Sequence, residues 1–282
     1  MIAVIGSTGT TGRELVKGLL AAGAKFRCIV RDAARAAKVL GDGVDLVVGE
    51  LDDPASIEAG CTGCEKLYLL SRHAPVQGEQ HRSAIDAAKR AGVRRIVKSS
   101  GMMTDREMPL PRQHQQAEDH LKASGVDWTI LRPNFFMQNL LNTAPLVKAQ
   151  GKVMMLFAGD VAIGIIDVRD AAEVAVAVLT GDGHSGRTYE LTGAPVTLND
   201  AAAALSAALG RDVPYVQAPF ERVRAMMSEK GAPDWEIEHL ANIATAIVRG
   251  DLSRTTDTVR SVTGHEPRTL AAFMAENVSV FQ

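Results

Sequence analysis

A glycine-rich turn near the start of the chain has the residue types and spacing that bind phosphate groups. It follows an apolar run at 2–5 and opens the amphipathic stretch that begins at Arg13. Glycine allows a tight turn and a close approach of backbone to phosphate, and the free N–H groups of a helix N-terminus attract anions. A turn placed directly between a strand and a helix predicts the pyrophosphate site of a dinucleotide. The predicted contacts are Gly6, Thr8, Gly9, Thr10, Thr11 and Gly12.

Charged residues after the second predicted strand bear on which dinucleotide binds. That strand ends at Arg31, where sites that prefer NAD usually carry a carboxylate for the ribose hydroxyl. Asp32 follows at once, so the pattern is not clean. Arg31 and Arg35, one helical turn apart, offer guanidinium groups to a 2′-phosphate, at roughly 1.5–3 kcal/mol for each charge-assisted contact. We therefore predict NADP(H) ahead of NAD(H), with a solvated surface arginine as the alternative for Arg31.

Predicted strands and helices, which must position this turn, alternate along the first half of the chain. Short apolar runs alternate with amphipathic stretches of helical length, a pattern typical of parallel strands joined by crossover helices. We predict an α/β fold of Rossmann type, a doubly wound parallel sheet with its ligand at the carboxyl ends of the strands. The predicted strands are 2–5, 25–30, 44–48, 66–71, 94–99 and 127–131, and the predicted helices are 11–22, 33–41, 54–61, 78–91 and 113–124.

Topology assigns further residues to the cofactor. Glu50 and Leu51 follow the third strand and are expected to flank the adenine. Ser71, Arg72 and His73 follow the fourth strand and are expected to line a cofactor ribose, and His73 is also assigned to the substrate. These assignments depend only on the shared edge of the sheet.

The second half of the chain predicts a smaller α/β lobe that binds substrate. We expect residues 151–282 to pack on a Rossmann domain at 1–150, in a division that is not strictly sequential. Thr197 followed by Asp200 resembles a capping box, with Asp in place of the usual Glu. The predicted strands are 153–157, 162–166, 187–191 and 213–217, and the predicted helices are 168–179, 197–209, 219–229, 234–249 and 269–277.

Composition narrows the classes of function. The 282 residues carry 31 Lys and Arg against 33 Asp and Glu, a net charge of −2 without a basic block, which argues against nucleic acid. The N-terminal strand leaves no room for a signal peptide, and no apolar stretch is long enough to span a bilayer, so we expect a cytoplasmic protein without membrane contact. Cys61 and Cys64 have redox spacing but are predicted to be core residues, because no second pair completes a metal site.

Two further motifs carry a family resemblance. Ser99-Ser100-Gly101 and the stretch at 131–139, taken with the glycine-rich turn, resemble the NmrA-like atypical short-chain dehydrogenase/reductases over nearly the whole chain. The sequence is most similar to the bacterial branch of NADPH-quinone oxidoreductases and triphenylmethane-dye reductases. The resemblance implies that the turn and Arg31 bind NADP(H) and that the loop after the sixth strand lies near the nicotinamide. It adds Ser99, Ser100, Pro133, Asn134 and Phe135 to the cofactor contacts.

The Tyr-x-x-x-Lys motif of reductases of simple ketones is absent. The tyrosine position falls on Leu110 and the lysine position on His114. Prolines on both sides of Leu110 predict a helix that begins at or after Pro111, which would keep Leu110 off the turn before His114. Without a tyrosine acid, a quinone or a cationic dye is a better acceptor than a ketone, since it needs only proximity and orientation. His114 is either a proton donor or an ordinary exposed helix histidine.

The leading hypothesis is an NADPH-dependent reductase of flat, conjugated acceptors such as quinones or dyes. The acceptor ring is expected to lie between His73, Met102, His114 and Phe136. Asn139 is also assigned to the substrate, with a helix or cap role as its alternative. The rival hypothesis is a non-catalytic NADP(H) sensor that acts through a protein partner. The sequence leaves open whether the protein forms a homodimer, and no metal is expected. Three further histidines are predicted at the surface: His81, His120 and His184.

Overall fold

A computed structural model of the chain describes residues 1–102, 105 and 107–282. Strands are β1 (Ile2–Ile5), β2 (Phe26–Val30), β3 (Asp45–Val48), β4 (Lys66–Leu69), β5 (Arg95–Ser99), β6 (Asp127–Pro133), β7 (Val153–Met155), β8 (Ile163–Gly164), β9 (Arg187–Leu191), β10 (Pro195–Val196) and β11 (Tyr215–Gln217).

Helices separate most of these strands. They are α1 (Thr10–Ala21), α2 (Ala33–Leu40), α3 (Pro54–Cys61), α4 (Gln77–Arg90), α5 (Pro109–Ala123), α6 (Ala144–Gln150), α7 (Val168–Thr180), α8 (Leu198–Leu209), α9 (Phe220–Glu229), α10 (Asp234–Val248), α11 (Thr258–Thr263) and α12 (Leu270–Glu276), with 3-10 turns at Met137–Thr143 and Val278–Val280. In the part of the chain that the structure describes, none of these helices is long and apolar enough to cross a membrane.

The central sheet has the predicted topology. Its seven strands run in the order β3-β2-β1-β4-β5-β6-β9, and the pairs from β3 through to β6 are parallel. Ile2 pairs with Phe26 on one side and with Lys66 on the other, so the strand order reverses between β1 and β4. This is the switch point of a Rossmann fold, where a crevice opens beyond the carboxyl ends of the strands.

Helices cover both faces of the sheet, which explains why its strands are almost continuously apolar. Along β1 the side chains alternate, and Ala3 and Ile5 belong to a core shared with Ile57 of α3 and Leu121 of α5. On the other face α1 packs against α7, and a Cβ on Gly18 would meet Val176 at 2.7 Å. Burial of both faces therefore holds the carboxyl edge of the sheet in place.

The chain divides into two compact units, and the division differs from the predicted boundary at 150. Residues 134–150 group with the second unit and 168–190 with the first, because α7 packs on α1 and β9 extends the central sheet. The first unit comprises Met1–Pro133 and Val168–Glu190, and the second comprises Asn134–Asp167 and Leu191–Gln282.

The second unit is built from short elements. β7 pairs with β11 in parallel, β8 pairs with β10 antiparallel, and α8 packs against α12. The predicted capping box is confirmed, since the Thr197 hydroxyl accepts from the Asp200 N–H while the Asp200 carboxylate accepts from the Thr197 N–H. The sequence analysis missed the 3-10 turn at 137–143, α6, β10 and α11, because elements this short show too little periodicity.

Two details of the sequence analysis were wrong. Helix α5 begins at Pro109, not at or after Pro111, so Leu110 does lie on the turn before His114. The first turn of a helix makes no use of its N–H groups, and it therefore accepts both prolines. His81 was predicted at the surface but is fully buried, because it lies on the face of α4 that packs against the sheet.

Cys61 and Cys64 are core residues, as predicted, and Cys28 is buried as well. Cys28, Cys61 and Cys64 are free thiols buried in the first unit. Burial raises the pKa of Cys28 to about 11 and that of Cys61 to about 12. Thiols held in the neutral form are poor nucleophiles and poor metal ligands.

Candidate active site

Close backbone contacts require glycine at two of the three glycine positions of the turn. Gly6 has a φ of +85°, and a Cβ on it would lie 2.4 Å from the Leu70 carbonyl oxygen. A Cβ on Gly12 would lie 2.0 Å from the Gly6 carbonyl oxygen. At Gly9 no protein atom comes nearer to such a Cβ than 3.5 Å. The fold itself thus requires Gly6 and Gly12, whereas a Cβ on Gly9 would make only an ordinary van der Waals contact, so the protein's own packing does not require glycine there.

The turn leads into a helix end that suits an anion. Gly9 is the N-cap of α1 and has no side chain to satisfy the first N–H groups, and the first turn carries no acidic residue. Thr8, Gly9 and Thr10 are exposed. Unpaired N–H groups and the positive end of the helix dipole favour a phosphate at this position. The residues present therefore fit the pyrophosphate of a dinucleotide.

The structure shows what the Asp32 carboxylate after β2 does. Its carboxylate oxygen Oδ1 accepts a hydrogen bond of 2.9 Å from the Arg35 N–H, so that Asp32 is the N-cap of α2. Arg31 and Arg35 are both exposed, and neither makes an ion pair with any residue that the structure describes. Two guanidinium groups without a protein carboxylate stand at the edge where a cofactor ribose is expected.

The residues after β3 and β4 lie at the same carboxyl edge of the central sheet. Glu50 is exposed, with its N–H held by the Ser56 hydroxyl at 3.0 Å, and Leu51 packs against the core. The Ser71 hydroxyl lies 2.8 Å from His81 Nε2 and accepts from the Gln77 amide at 3.1 Å. Burial lowers the pKa of His81 well below its usual value, so this imidazole stays neutral and serves to position Ser71.

A buried cluster follows β5. His114 is only 5% exposed. It is therefore not the ordinary exposed helix histidine that the sequence analysis gave as an alternative. Its Nδ1 lies 3.3 Å from Nζ of Lys98, a fully buried lysine on β5. The His73 ring meets the His114 ring edge-on, with 5.9 Å between the ring centres. The structure thus brings the rings of His73 and His114 into contact and adds an amine that the sequence analysis missed.

Glu118 and Arg132 form a second buried feature beside this cluster. Glu118 is fully buried on α5, one turn beyond His114. Arg132 of β6 donates to both of its carboxylate oxygens, and the Ser100 hydroxyl donates to Oε1 at 2.7 Å. Ser100, predicted to contact the cofactor, is therefore held by this ion pair, and its neighbour Ser99 is 5% exposed.

One signal could have revealed Lys98 from the sequence. It stands between Val97 and Ser99 in a strand predicted to be covered on both faces, where a charged side chain is expected to have a specific partner. Glu118 and Arg132 gave no such signal, because residues 14 apart on a helix and a strand become neighbours only through packing.

The remaining predicted residues lie at the end of β6 and beyond. Met102 is buried, and its N–H donates to the Pro133 carbonyl oxygen at 3.2 Å within the first unit. Asn134 belongs to the second unit, where its amide donates to the Leu252 carbonyl and its Oδ1 accepts from the Phe135 N–H. Phe135 packs edge-on against Phe157.

Two predicted substrate residues also belong to the second unit. Phe136 forms a β-bridge with Ile166. Asn139 lies in the 3-10 turn, where its N–H donates to the Phe136 carbonyl at 3.1 Å, which matches the helix role given as its alternative.

Known proteins resemble this chain from end to end. It is 36% identical over 285 residues to an NAD(P)H azoreductase of Xenophilus azovorans, a match that covers 100% of this chain and 99% of that protein. An NADPH-dependent quinone oxidoreductase of Escherichia coli, solved in complex with NADPH, has a TM-score of 0.87 at 30% identity, with 98% of this chain and 99% of that one covered.

A dye reductase has the same fold. The triphenylmethane reductase of Citrobacter sp., in complex with NADP(H), has a TM-score of 0.84 at 25% identity and covers 98% of this chain and 99% of its own. The model of the NmrA-like family matches residues 1–274. The Rossmann topology, the glycine-rich turn and the match over almost the whole sequence establish that this chain belongs to the NmrA-like family.

Proposed function

We propose that this protein is an NADPH-dependent reductase of flat, conjugated acceptors such as quinones or dyes. The observation that carries the proposal is the glycine-rich turn, in which Gly9 alone is not required by the protein's own packing and opens α1 toward a phosphate. NADPH, when bound, supplies a hydride at its nicotinamide ring. The relatives named as an NAD(P)H azoreductase, a quinone oxidoreductase and a triphenylmethane reductase support the same class of reaction.

The cofactor is held, in this proposal, by the carboxyl edge of the central sheet. The turn from Gly6 to Gly12 binds the pyrophosphate. Arg31 and Arg35 bind the 2′-phosphate, and the use of Asp32 as a helix cap favours NADPH over NADH because that carboxylate is already committed. The other proposed contacts are Glu50, Leu51, Ser71, Arg72, Ser99, Ser100, Pro133, Asn134 and Phe135.

The acceptor takes its hydride without a tyrosine acid. Leu110 occupies the position of that tyrosine on α5, and its side chain has no proton to give. A quinone or a cationic dye forms a stabilised product, so orientation and a single nearby proton donor suffice. His114 is the proposed donor, with His73 beside its ring, and this buried pair favours a reductase over a cofactor sensor that lacks turnover.

The second unit is proposed to bind the acceptor. It contains an open groove of about 500 Å³ between the residue after β7, the end of β11 and the helices α9 and α10. Apolar side chains such as Leu156 and Phe220 line it, with Gln217 and Thr245 as its polar members and no charged residue. A groove of this size and polarity suits an uncharged aromatic or apolar group of a small molecule.

The net charge and the cysteines support the proposed class of partner and the proposed compartment. A net charge of −2 without a basic block supports a small-molecule partner and not nucleic acid. Three buried free cysteines suit a reducing compartment, which supports the cytoplasm.

A steady-state assay tests the proposed function. Purified protein and NADPH are mixed with a panel of quinones, cationic dyes and simple ketones, and NADPH absorbance is followed. We expect saturable turnover of quinones or dyes and none of ketones. Background oxidation with every acceptor, together with tight NADPH binding, would instead identify the sensor. The His114→Ala variant is expected to lower turnover of quinones at least tenfold, whereas His120→Ala on the same helix, which meets Asp86 at the surface, serves as the matched control.

A further inference from the structure

Lys98 is the one charged side chain of β5 that points into the core between sheet and helices. It is fully buried and pairs in register with Leu69, a residue of the core beneath α4 and α5. Its Nζ lies 3.3 Å from His114 Nδ1 and 3.4 Å from the Ser99 carbonyl oxygen. A lysine at such depth normally meets a carboxylate, since an isolated buried charge is costly. Here the side-chain group in contact with Nζ is the imidazole of His114.

Glu118, the carboxylate that acts electrostatically on Lys98, is already engaged. Both oxygens of Glu118 accept from Arg132, and one also accepts from Ser100. Burial, together with the positive Arg132, lowers the pKa of Lys98 to about 7, while Glu118 opposes that shift. The charged or titratable groups around the pair are Arg72 and His73 after β4, His81 on α4, Glu118 and Lys122 on α5, and Arg132 on β6.

The other edge of the imidazole faces the carboxyl end of β5. A Cβ on Gly101 would lie 3.7 Å from His114 Nε2 and 3.8 Å from Cδ2. Because Gly101 has no side chain, only its backbone stands beside the Nε2 edge. The His114 ring therefore connects a buried amine at Nδ1 with the edge of the sheet at which ligands bind in this topology.

We propose that Lys98 and His114 form a proton relay, in which Lys98 supplies the proton that His114 passes to a reduced quinone. The proposal rests on the proposed reductase function. Lys98 is a positioning residue, since it acts through His114. By donating to Nδ1 it keeps His114 in the tautomer with its proton on Nε2, which is the atom that faces Gly101.

The proton balance is simple. Hydride addition to a quinone leaves a hydroquinone anion, and the His114 Nε2–H gives its proton to the anionic oxygen. The Lys98 ammonium gives a proton to Nδ1 at the same time, so the pair becomes a neutral amine and a neutral imidazole with its proton on Nδ1. A proton from solvent then adds to Nε2 and the Nδ1 proton returns to Lys98. One proton is consumed for each quinone, as the reduction requires.

A cationic dye provides the internal control. A triphenylmethane cation becomes neutral when it accepts a hydride, so its reduction consumes no proton. Replacement of Lys98 by Met, which has a similar length and no charge, should therefore lower kcat/KM for a quinone at least tenfold and change that for a cationic triphenylmethane dye less than twofold. In the natural protein, the quinone rate should also fall above pH 7 relative to the dye rate.

The tautomer gives a readout that needs no turnover. In the natural protein at pH 7, ¹⁵N NMR of the His114 ring is expected to show the proton on Nε2. In Lys98→Met, the signal should move toward a mixture of the two tautomers. Lys89→Met, which removes an exposed lysine of α4 that contacts the Ser124 carbonyl, is the matched control and should leave the signal and both rates unchanged.

The outcomes separate the relay from the proposed function. If neither acceptor is reduced by the natural protein, the reductase function fails, while the tautomer signal still tests the contact between Lys98 and His114. If Lys98→Met slows the quinone and the dye equally, or leaves the tautomer of His114 unaltered, the relay is wrong. Circular dichroism and the Kd for NADPH show whether the variant is folded. If it is not, Lys98→Gln replaces it in the same comparison.

Discussion

Arg132 and Glu118 form an ion pair in which the carboxylate is fully buried and the guanidinium is 15% exposed. The pair joins the end of β6 to α5, and through the Ser100 hydroxyl it also holds the segment after β5. Removal of one partner of such a pair leaves a buried charge unmatched, which costs more than the pair itself contributes. This relationship accounts for the alignment of three elements at the edge that carries the candidate site.

Glu118→Gln is expected to lower the free energy of unfolding by about 3 kcal/mol, because the Arg132 charge loses its partner. Urea unfolding measures the loss. Glu58→Gln is the matched control, since Glu58 meets Arg90 at the surface and such exposed pairs contribute about 0–1 kcal/mol. Equal losses in the two variants would contradict the role given to Glu118.

The stability of the natural protein should depend on pH through Lys98. Its pKa in the folded state is about 7 against an ordinary value of 10.5, so between these values the unfolded chain binds a proton that the folded chain does not. Burial of Lys98 therefore lowers the free energy of unfolding at low pH. As the pH rises above 7, that free energy increases by at most about 1.4 kcal/mol per pH unit.

Urea titrations at pH 7.0 and 8.5 check this sign. Lys98→Met should remove the rise, and the difference between variant and natural protein isolates Lys98 from the buried thiols, whose raised pKa values act in the opposite direction above pH 8.5. A difference that does not change between the two pH values would show that Lys98 stays charged in the folded protein.

Substitutions at two glycines of the turn should have different effects, one on stability and the other on the binding of NADPH. Gly12→Ala places a Cβ 2.0 Å from a carbonyl oxygen and is expected to cost at least 2 kcal/mol of unfolding free energy. Gly9→Ala meets nothing closer than 3.5 Å at a φ of −75°, so its stability should stay within about 0.5 kcal/mol. Its Kd for NADPH, from fluorescence titration, should nevertheless rise at least tenfold. Unchanged binding in Gly9→Ala would place the pyrophosphate elsewhere.

Arg31→Asp should shift the cofactor preference from NADPH toward NADH. A lost charge-assisted contact of roughly 1.5–3 kcal/mol corresponds to a tenfold or larger change in the ratio of the two dissociation constants. Lys38→Asp on the exposed side of α2 is the control for charge alone. Asp32→Asn should leave the ratio as it is, because asparagine also caps a helix. A lower affinity for NADH in Asp32→Asn would assign that carboxylate to the ribose.

The groove of the second unit should discriminate among acceptors. Ala244→Trp narrows it, so KM is expected to rise at least fivefold for a quinone with a long apolar chain and little for a small quinone, with kcat almost unchanged. Ala208→Trp on α8, outside the lining of this groove, is the control. Equal effects on both quinones would exclude the groove as the site of the apolar chain.

Much of the fold was predictable because local patterns repeat. All six strands of the first half and their helices were located within a few residues, and the capping box at Thr197 was read correctly. Regular amphipathic periodicity and N-cap residues act within one turn or one strand, so a single sequence contains them. The 3-10 turn at 137–143 was too short to show a periodicity, and the grouping of 168–190 with the first unit depended on packing between distant segments.

The sequence by itself determined which residues are candidates for the cofactor edge of this protein. Glycines at 6, 9 and 12 between a strand and a helix, and arginines at 31 and 35, are local features whose chemistry needs no knowledge of the rest of the chain. Only the tertiary structure decided that Asp32 caps a helix, that His81 is buried, and that Lys98, His114, Glu118 and Arg132 lie together. The physical reason is that burial and the pKa of an ionisable group depend on neighbours brought from other elements by packing, and no spacing along the chain records them.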